Sequence, residues 1–427
     1  GKIMTTNEKE IWKRFHNPLH QADAPVHKMI RDEWKRQSEV LELIPSESLP
    51  SKAVLEALGS VFNNKYSEGY PGKRYYGGNH VIDQVELLAQ NRAKELFGCE
   101  HANVQPYSGS PANAEVYFAL LTYGDKIMGM NLAHGGHLTH GHKLNYSGKS
   151  YAIAPYGVEK ETEMLDYDVI RKLALQEKPK ILVSGSSAYP RSIDFKEMAK
   201  IAQEVNAISM ADISHVAGLI AGKQHISPFP ETDIVTTTTH KTLCGPRGAV
   251  IMCKQNFAEA IDKAVFPGMQ GGPHNHQIAA KAVAFGEALR PEFQEFAKNV
   301  VENSKGMAEG MIEGGLRLVS GGTDNHLCLA DLSKAPIQGK EAEKLLDTVN
   351  ITCNKNMIPY DTRKPLDPSG IRVGSPTLTC RGFSRDECRE VGQLIAKTVF
   401  NHQNENVLNG VRERVKALTA LHPIYPQ

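Results

Sequence analysis

The apolar positions of this chain fall into two rhythms. At 126–130, 180–184, 207–212, 233–238 and 249–253 they stand in short continuous runs rich in Ile, Val, Met and Thr. Such runs predict strands buried on both faces, because a half-exposed strand would alternate with polar residues. At 81–96, 111–121 and 194–204 the apolar residues recur at helical spacing. The alternation from about residue 83 to 252 predicts βαβ units, hence an α/β fold with a mostly parallel sheet covered on both sides. Ligands of such sheets lie beyond the carboxyl ends of the strands.

Two polar helices, at 8–16 and 25–36, precede this region and lead into the turn-rich 43–50, an N-terminal arm over 1–60. A large domain is expected over 61–290. A helix-rich stretch at 276–314 leads to a smaller α+β domain over 291–427, with strands at 325–331 and 370–374 and helices at 341–348 and 385–400. No internal repeat or low-complexity segment breaks this order.

Charge narrows the functional classes. Lys+Arg 49 against Asp+Glu 48 leaves a net charge of +1, so no general affinity for nucleic acid or membrane is implied. No run approaches the ~20 apolar residues of a membrane span. The segment Gly1-Lys-Ile-Met4 lacks the apolar core of a signal peptide, and the seven scattered cysteines include no CxxC pair. Reduced thiols and a cytoplasmic location are the expectation.

Candidate chemistry gathers at the predicted strand ends. The run Val235-Thr-Thr-Thr-Thr-His240-Lys241 suits a strand, because β-branched side chains are stiff at χ1. It delivers Lys241 to the sheet edge, where a desolvated amine can form a Schiff base; a solvated capping lysine is the plainer alternative. Asp212 closes the preceding strand and suits the protonated ring nitrogen of pyridoxal phosphate, or else caps a helix. Ser108, Gly109 and Ser110 run into a helix start, where backbone N–H groups can cradle a phosphate. The loop His134-Gly-Gly-His137-Leu-Thr-His140-Gly-His142 has histidines enough for zinc, but its glycines disfavour a helical ligand face and no matching carboxylate stands nearby in sequence. No metal is therefore expected, and His137 is read as stacking on an aromatic cofactor ring. Glu68, in a loop dense in Tyr, Gly and Pro, suits a general acid–base or a packing turn. Arg372, on a strand of the second domain, suits a substrate carboxylate or a structural salt bridge. The turn at 266–273 offers backbone donors to a phosphate or an interface.

The words EGYPGKRYYGG at 68–78, NLAHGGHLTHG at 131–141, TTTTHKTL at 236–243 and SGIRVG at 369–374 together resemble the serine (glycine) hydroxymethyltransferase family of fold-type I pyridoxal-phosphate enzymes. The likeness runs from about residue 15 to 400. It implies a seven-stranded sheet in the large domain, a smaller C-terminal domain and transfer of the L-serine hydroxymethyl group to tetrahydrofolate, giving glycine and methylene-tetrahydrofolate. By the same resemblance Lys241 carries the cofactor covalently, Asp212 pairs with its ring nitrogen and His137 stacks on the ring. Ser108, Gly109, Ser110 and His240 hold the phosphate, while Ser187 and His215 meet the phenolic oxygen. Glu68 is the acid–base group of the hydroxymethyl step. Arg372 binds the amino-acid carboxylate near Ser46 and Tyr76, and Leu132, Gly136 and Asn356 match pterin contacts. The implied assembly is a homodimer, or a pair of dimers, whose active sites are shared, with Tyr66, Gly271 and Gly272 crossing the interface. One departure is local: the family pattern Ile-Ala-Ser-Glu-Asn reads Ile44-Pro45-Ser46-Glu47-Ser48 here. That turn keeps open a related activity on α-methylserine or a threonine-type aldol substrate.

Overall fold

The computed structural model describes residues 1–425. Seven strands form the large sheet: β1 (His101–Asn103), β2 (Lys126–Met128), β3 (Ala152–Ile153), β4 (Ile181–Ser184), β5 (Ile208–Asp212), β6 (Ile234–Thr238) and β7 (Ala249–Cys253). Their order is β1-β7-β6-β5-β4-β2-β3. β7 is antiparallel to both neighbours and the remaining pairings are parallel. The five longer apolar runs are all strands. The edge strands β1 and β3 were not evident in the sequence, since β1 has a single apolar residue, Ala102, between two polar ones and the two residues of β3 are too few for a pattern.

Strand alternation distributes the apolar side chains to two cores. Met128, Leu182, Ala211, Val235, Val250 and Met252 enter one cluster, while Ile127, Ile181, Val183, Met210, Ile234 and Ile251 enter another. Burial on both faces is what makes these runs continuous in sequence. Each fully buried aliphatic side chain contributes about 1.5–3 kcal/mol, so the sheet is a stiff platform for whatever its ends carry.

A second, antiparallel sheet follows: β8 (Arg317–Leu318), β9 (Leu327–Asp331), β10 (Asn354–Asn356) and β11 (Gly370–Gly374), in the order β8-β9-β11-β10. Six helices matter below: α1 (Thr6–His16), α2 (Ala24–Glu39), α3 (Gly109–Leu120), α4 (Asn275–Ala288), α5 (Pro291–Glu313) and α6 (Arg385–Phe400). α5 and α6 cover the second sheet, where Met307, Met311, Val391 and Ile395 share a core with Ile371 and Val373. The chain just after α2 joins that core too. Leu41 and Leu43 are buried in it, and Leu41 pairs in parallel register with Ile351. α1, by contrast, buries nothing and leaves Ile11, Trp12 and Phe15 more than half exposed.

Candidate active site

β5 and β6 lie side by side with Asp212 opposite Thr236, so both chains leave the sheet at the same edge. The apolar start of β6 gives way to threonines. Thr236 Oγ1 donates to Asn113 Oδ1 at 2.7 Å, Thr237 Oγ1 to the Thr238 carbonyl at 2.7 Å and Thr239 Oγ1 to the Pro246 carbonyl at 2.6 Å. Threonine keeps the strand preference while each hydroxyl finds a partner. The fourth, Thr238 Oγ1, accepts from Lys241 Nζ at 3.1 Å. Desolvation lowers the Lys241 amine to about 8, with the Arg247 and Arg372 charges acting in the same direction and Asp212 opposing. Burial thus leaves about a tenth of this amine neutral and nucleophilic at pH 7, against well under ~0.1% for a solvated lysine.

Asp212 is buried and fully engaged. Oδ2 accepts from Asn113 Nδ2 at 3.0 Å and from His140 Nε2 at 2.9 Å, while Oδ1 accepts from the Ser214 amide at 3.2 Å and hydroxyl at 2.7 Å. Burial opposes ionisation, but His140, His137 and Asn113 together outweigh it and hold the carboxyl well below the usual carboxylate range. His137 is oriented by Thr139, whose amide donates to Nδ1 at 3.1 Å. Desolvation pushes the ring down to about 4, so it is a neutral, flat surface. Ligand atoms of His137, His140 and Asp212 lie within 4.8 Å of one another. Yet His140 Nε2 and Asp212 Oδ2 are already spent on each other, and His137 Nδ1 on Thr139.

A cavity of about 530 Å³ opens over this edge. Of the sequence-derived residues it collects Ser46, Gly109, Leu132, Gly136, His137, Ser187, Asp212, His215, His240, Lys241, Asn356 and Arg372. Ser108 and Ser110 flank Gly109 at the start of α3 without lining the cavity. Ser108 makes no side-chain cap, so the Gly109 and Ser110 amides keep their hydrogens, while Pro111 has none and the Ala112 amide donates to Ser108 O at 3.0 Å. Gly109 is required there, because a Cβ would come within 2.7 Å of Thr238 Cγ2. His240 has a buried Nδ1 without a partner among the described residues, and burial lowers its ring to about 3.

Arg372 reaches the cavity from β11 and bridges the two sheets. Nε donates to Asn354 Oδ1 at 3.0 Å and Nη1 to the Ser187 carbonyl at 2.6 Å. Among the described residues no carboxylate pairs with it, and burial alone lowers it to about 10. The turn that presents Ser46 is tied down by three contacts: the Gly374 amide donates to Leu43 O at 2.7 Å, Ser48 Oγ to His240 O at 3.1 Å and Thr377 Oγ1 to Glu47 O at 3.2 Å. Pro45 packs on Gly374, where a Cβ would lie 2.7 Å from the proline ring.

The remaining five residues form a separate group that does not line this cavity. Tyr66 and Tyr76 meet edge to face at 5.4 Å, Tyr66 covers Gly272, and Glu68 lies beside Gly271. Both tyrosines are about half exposed, at 57% and 49%. Sequence reasoning missed Asn113, Thr139, His140 and Arg247. Asn113 had a usable signal, standing one turn after Gly109 on α3; His140 had none that set it apart from its neighbours.

A site made of a desolvated lysine, an ionised buried carboxylate, a flat neutral imidazole, a free helix start and an unpaired guanidinium fits pyridoxal phosphate and an amino-acid substrate. Residues 19–395 match the family described as serine hydroxymethyltransferase. A serine hydroxymethyltransferase of Koribacter versatilis (strain Ellin345) is 56% identical over 414 residues, covering 97% of each chain. That family is pyridoxal-phosphate dependent, uses tetrahydrofolate and has the fold-type I architecture seen here. The chain is an enzyme of the serine hydroxymethyltransferase family.

Proposed function

We propose that this chain transfers the hydroxymethyl group of L-serine to tetrahydrofolate, with pyridoxal phosphate attached covalently at Lys241. The half-buried Arg372 guanidinium, which has no carboxylate partner among the described residues and shares the cavity with Lys241 and Asp212, carries this reading, because it calls for an anionic substrate group. Bound here, pyridoxal phosphate supplies an electron sink for the carbon–carbon bond cleavage. Asp212 holds a proton at the ring nitrogen, and His137 orients the ring by stacking. Gly109, flanked by Ser108 and Ser110, holds the phosphate with His240, while Ser187 and His215 meet the phenolic oxygen. Arg372 fixes the serine carboxylate, assisted by Ser46 and Tyr76. Glu68 moves the proton on the hydroxymethyl oxygen, and Leu132, Gly136 and Asn356 receive the pterin.

Glu68, Tyr66, Tyr76, Gly271 and Gly272 serve the cavity of a second copy, so the working unit is a homodimer with shared sites. Their position outside the cavity and the exposure of both tyrosines support this, as does the uncovered apolar face of α1. Seven free cysteines support a cytoplasmic setting. The test is formation of glycine and methylene-tetrahydrofolate from serine, with the cofactor trapped reductively on the protein. Lys241→Ala should lose both trapping and turnover; retained turnover would refute the assignment.

A further inference from the structure

His215 and His326 form a buried pair across the junction of the two sheets. His215 follows β5 and lines the cavity, whereas His326 immediately precedes β9 and is fully buried. Their Nδ1 and Nε2 atoms are 3.0 Å apart. His326 is held rigidly, because the segment that delivers it is bonded to the loop at 189–192. The Asp324 amide donates to Pro190 O at 2.8 Å, Arg191 Nη1 to Asp324 Oδ1 at 3.0 Å and Asn325 Nδ2 to Tyr189 O at 3.0 Å.

The pair has one proton to share along its hydrogen bond, and two arrangements are open. Either His215 donates, leaving His326 with a buried N–H at Nδ1, or His326 donates, leaving Nδ1 as a bare acceptor. His326 Nδ1 is buried and has no partner among the described residues. Orphaned buried N–H donors are rarer than under-satisfied acceptors. The positive charges of Arg372 and Lys241 act on both rings and, with burial, keep both neutral.

We infer that His326 is a positioning residue whose Nε2–H donates to His215 Nδ1 and so fixes His215 as an Nε2–H donor toward the cavity. An imidazole locked in this tautomer offers a hydrogen to an anionic oxygen and no acceptor to a competing hydroxyl. This rests on the proposal that His215 meets the cofactor's phenolic oxygen, but the tautomer itself can be read without cofactor.

The experiment uses full-length protein labelled with 15N-histidine. Two-bond 1H–15N spectra are recorded without and with pyridoxal phosphate, and assigned with His215→Gln and His326→Gln. The expected result is a bare Nδ1 and a protonated Nε2 on His215 in both states. A protonated Nδ1, or an imidazolium, on His215 overturns the inference. In the loaded protein, His326→Gln keeps a donor within reach and should leave the pH titration of the cofactor's visible band in place. His326→Leu removes the donor and should move that titration upward by about one pH unit, as expected for loss of one hydrogen bond to an anion. Equal titrations in wild type, Gln and Leu variants would also overturn it. Failure of the wild-type protein to bind pyridoxal phosphate would instead count against the proposed function, since the cofactor-free spectrum still reports the tautomer.

Discussion

Arg372→Leu separates binding from stability at one position. The guanidinium sits in the cavity with two neutral acceptors, Asn354 Oδ1 and Ser187 O. Burial lowers it well below its ordinary value, to about 10, and at about 1.4 kcal/mol per pH unit that gap is a burden of about 3 kcal/mol on the ligand-free fold. Leucine removes the burden but forfeits two charge-assisted hydrogen bonds, each contributing about 1.5–3 kcal/mol net. The two bonds outweigh the burden by at most about 3 kcal/mol, so the ligand-free variant should unfold in urea within about 3 kcal/mol of wild type. Affinity behaves differently. Removing one partner of a buried charge pair costs about 2–5 kcal/mol, or about 30- to 5,000-fold in the dissociation constant. The assay pairs urea unfolding with calorimetric titration of glycine into cofactor-loaded protein, with absorbance confirming loading. A variant that loses more than about 4 kcal/mol of stability and still binds glycine normally would make Arg372 a structural cation and refute the reasoning.

Other outcomes follow from the same geometry. With the Lys241 amine lowered to about 8, covalent capture of pyridoxal phosphate by the cofactor-free protein should quicken about tenfold per pH unit up to about pH 8 and then level off; a rise continuing to pH 10 would contradict the desolvated amine. Mixing Lys241→Ala with Glu68→Gln protein should restore turnover, because one site of each mixed dimer regains both wild-type residues, and a mixture as inactive as its components would argue against shared sites. Glu68→Gln alone should depress the folate-dependent reaction far more than cleavage of a 3-hydroxy amino acid, and equal losses would remove its proton-moving role. Lys281 on α4 is fully buried and donates to the carbonyls of Val104, Pro106 and Ala249 at 2.7, 3.1 and 2.8 Å. Lys281→Met should cost about 2–4 kcal/mol in urea unfolding by stranding those buried acceptors, and a neutral effect would show that they relax without it.

What the sequence determined by itself was local. Burial on both faces writes a strand as a continuous apolar run, so β2, β4, β5, β6 and β7 were legible, as were Asp212 at the end of β5 and Lys241, which lies three residues beyond the end of β6. Four threonines in a row were legible as a strand but not as a set of four hydrogen-bond partners. What the tertiary structure decided was which distant residues meet. Asn113 reaches Asp212 across 99 positions and Ser187 meets Arg372 across 185. No periodicity encodes such pairs, because strand order and the docking of one sheet on the other set them. The same holds for Glu68 and its tyrosines, which their motif suggested as site residues and which the fold sets apart from the Lys241 cavity. His326 carried no signal in its own neighbourhood. Its role depends on a single hydrogen bond across the junction, and only folding brings that donor and acceptor within 3.0 Å.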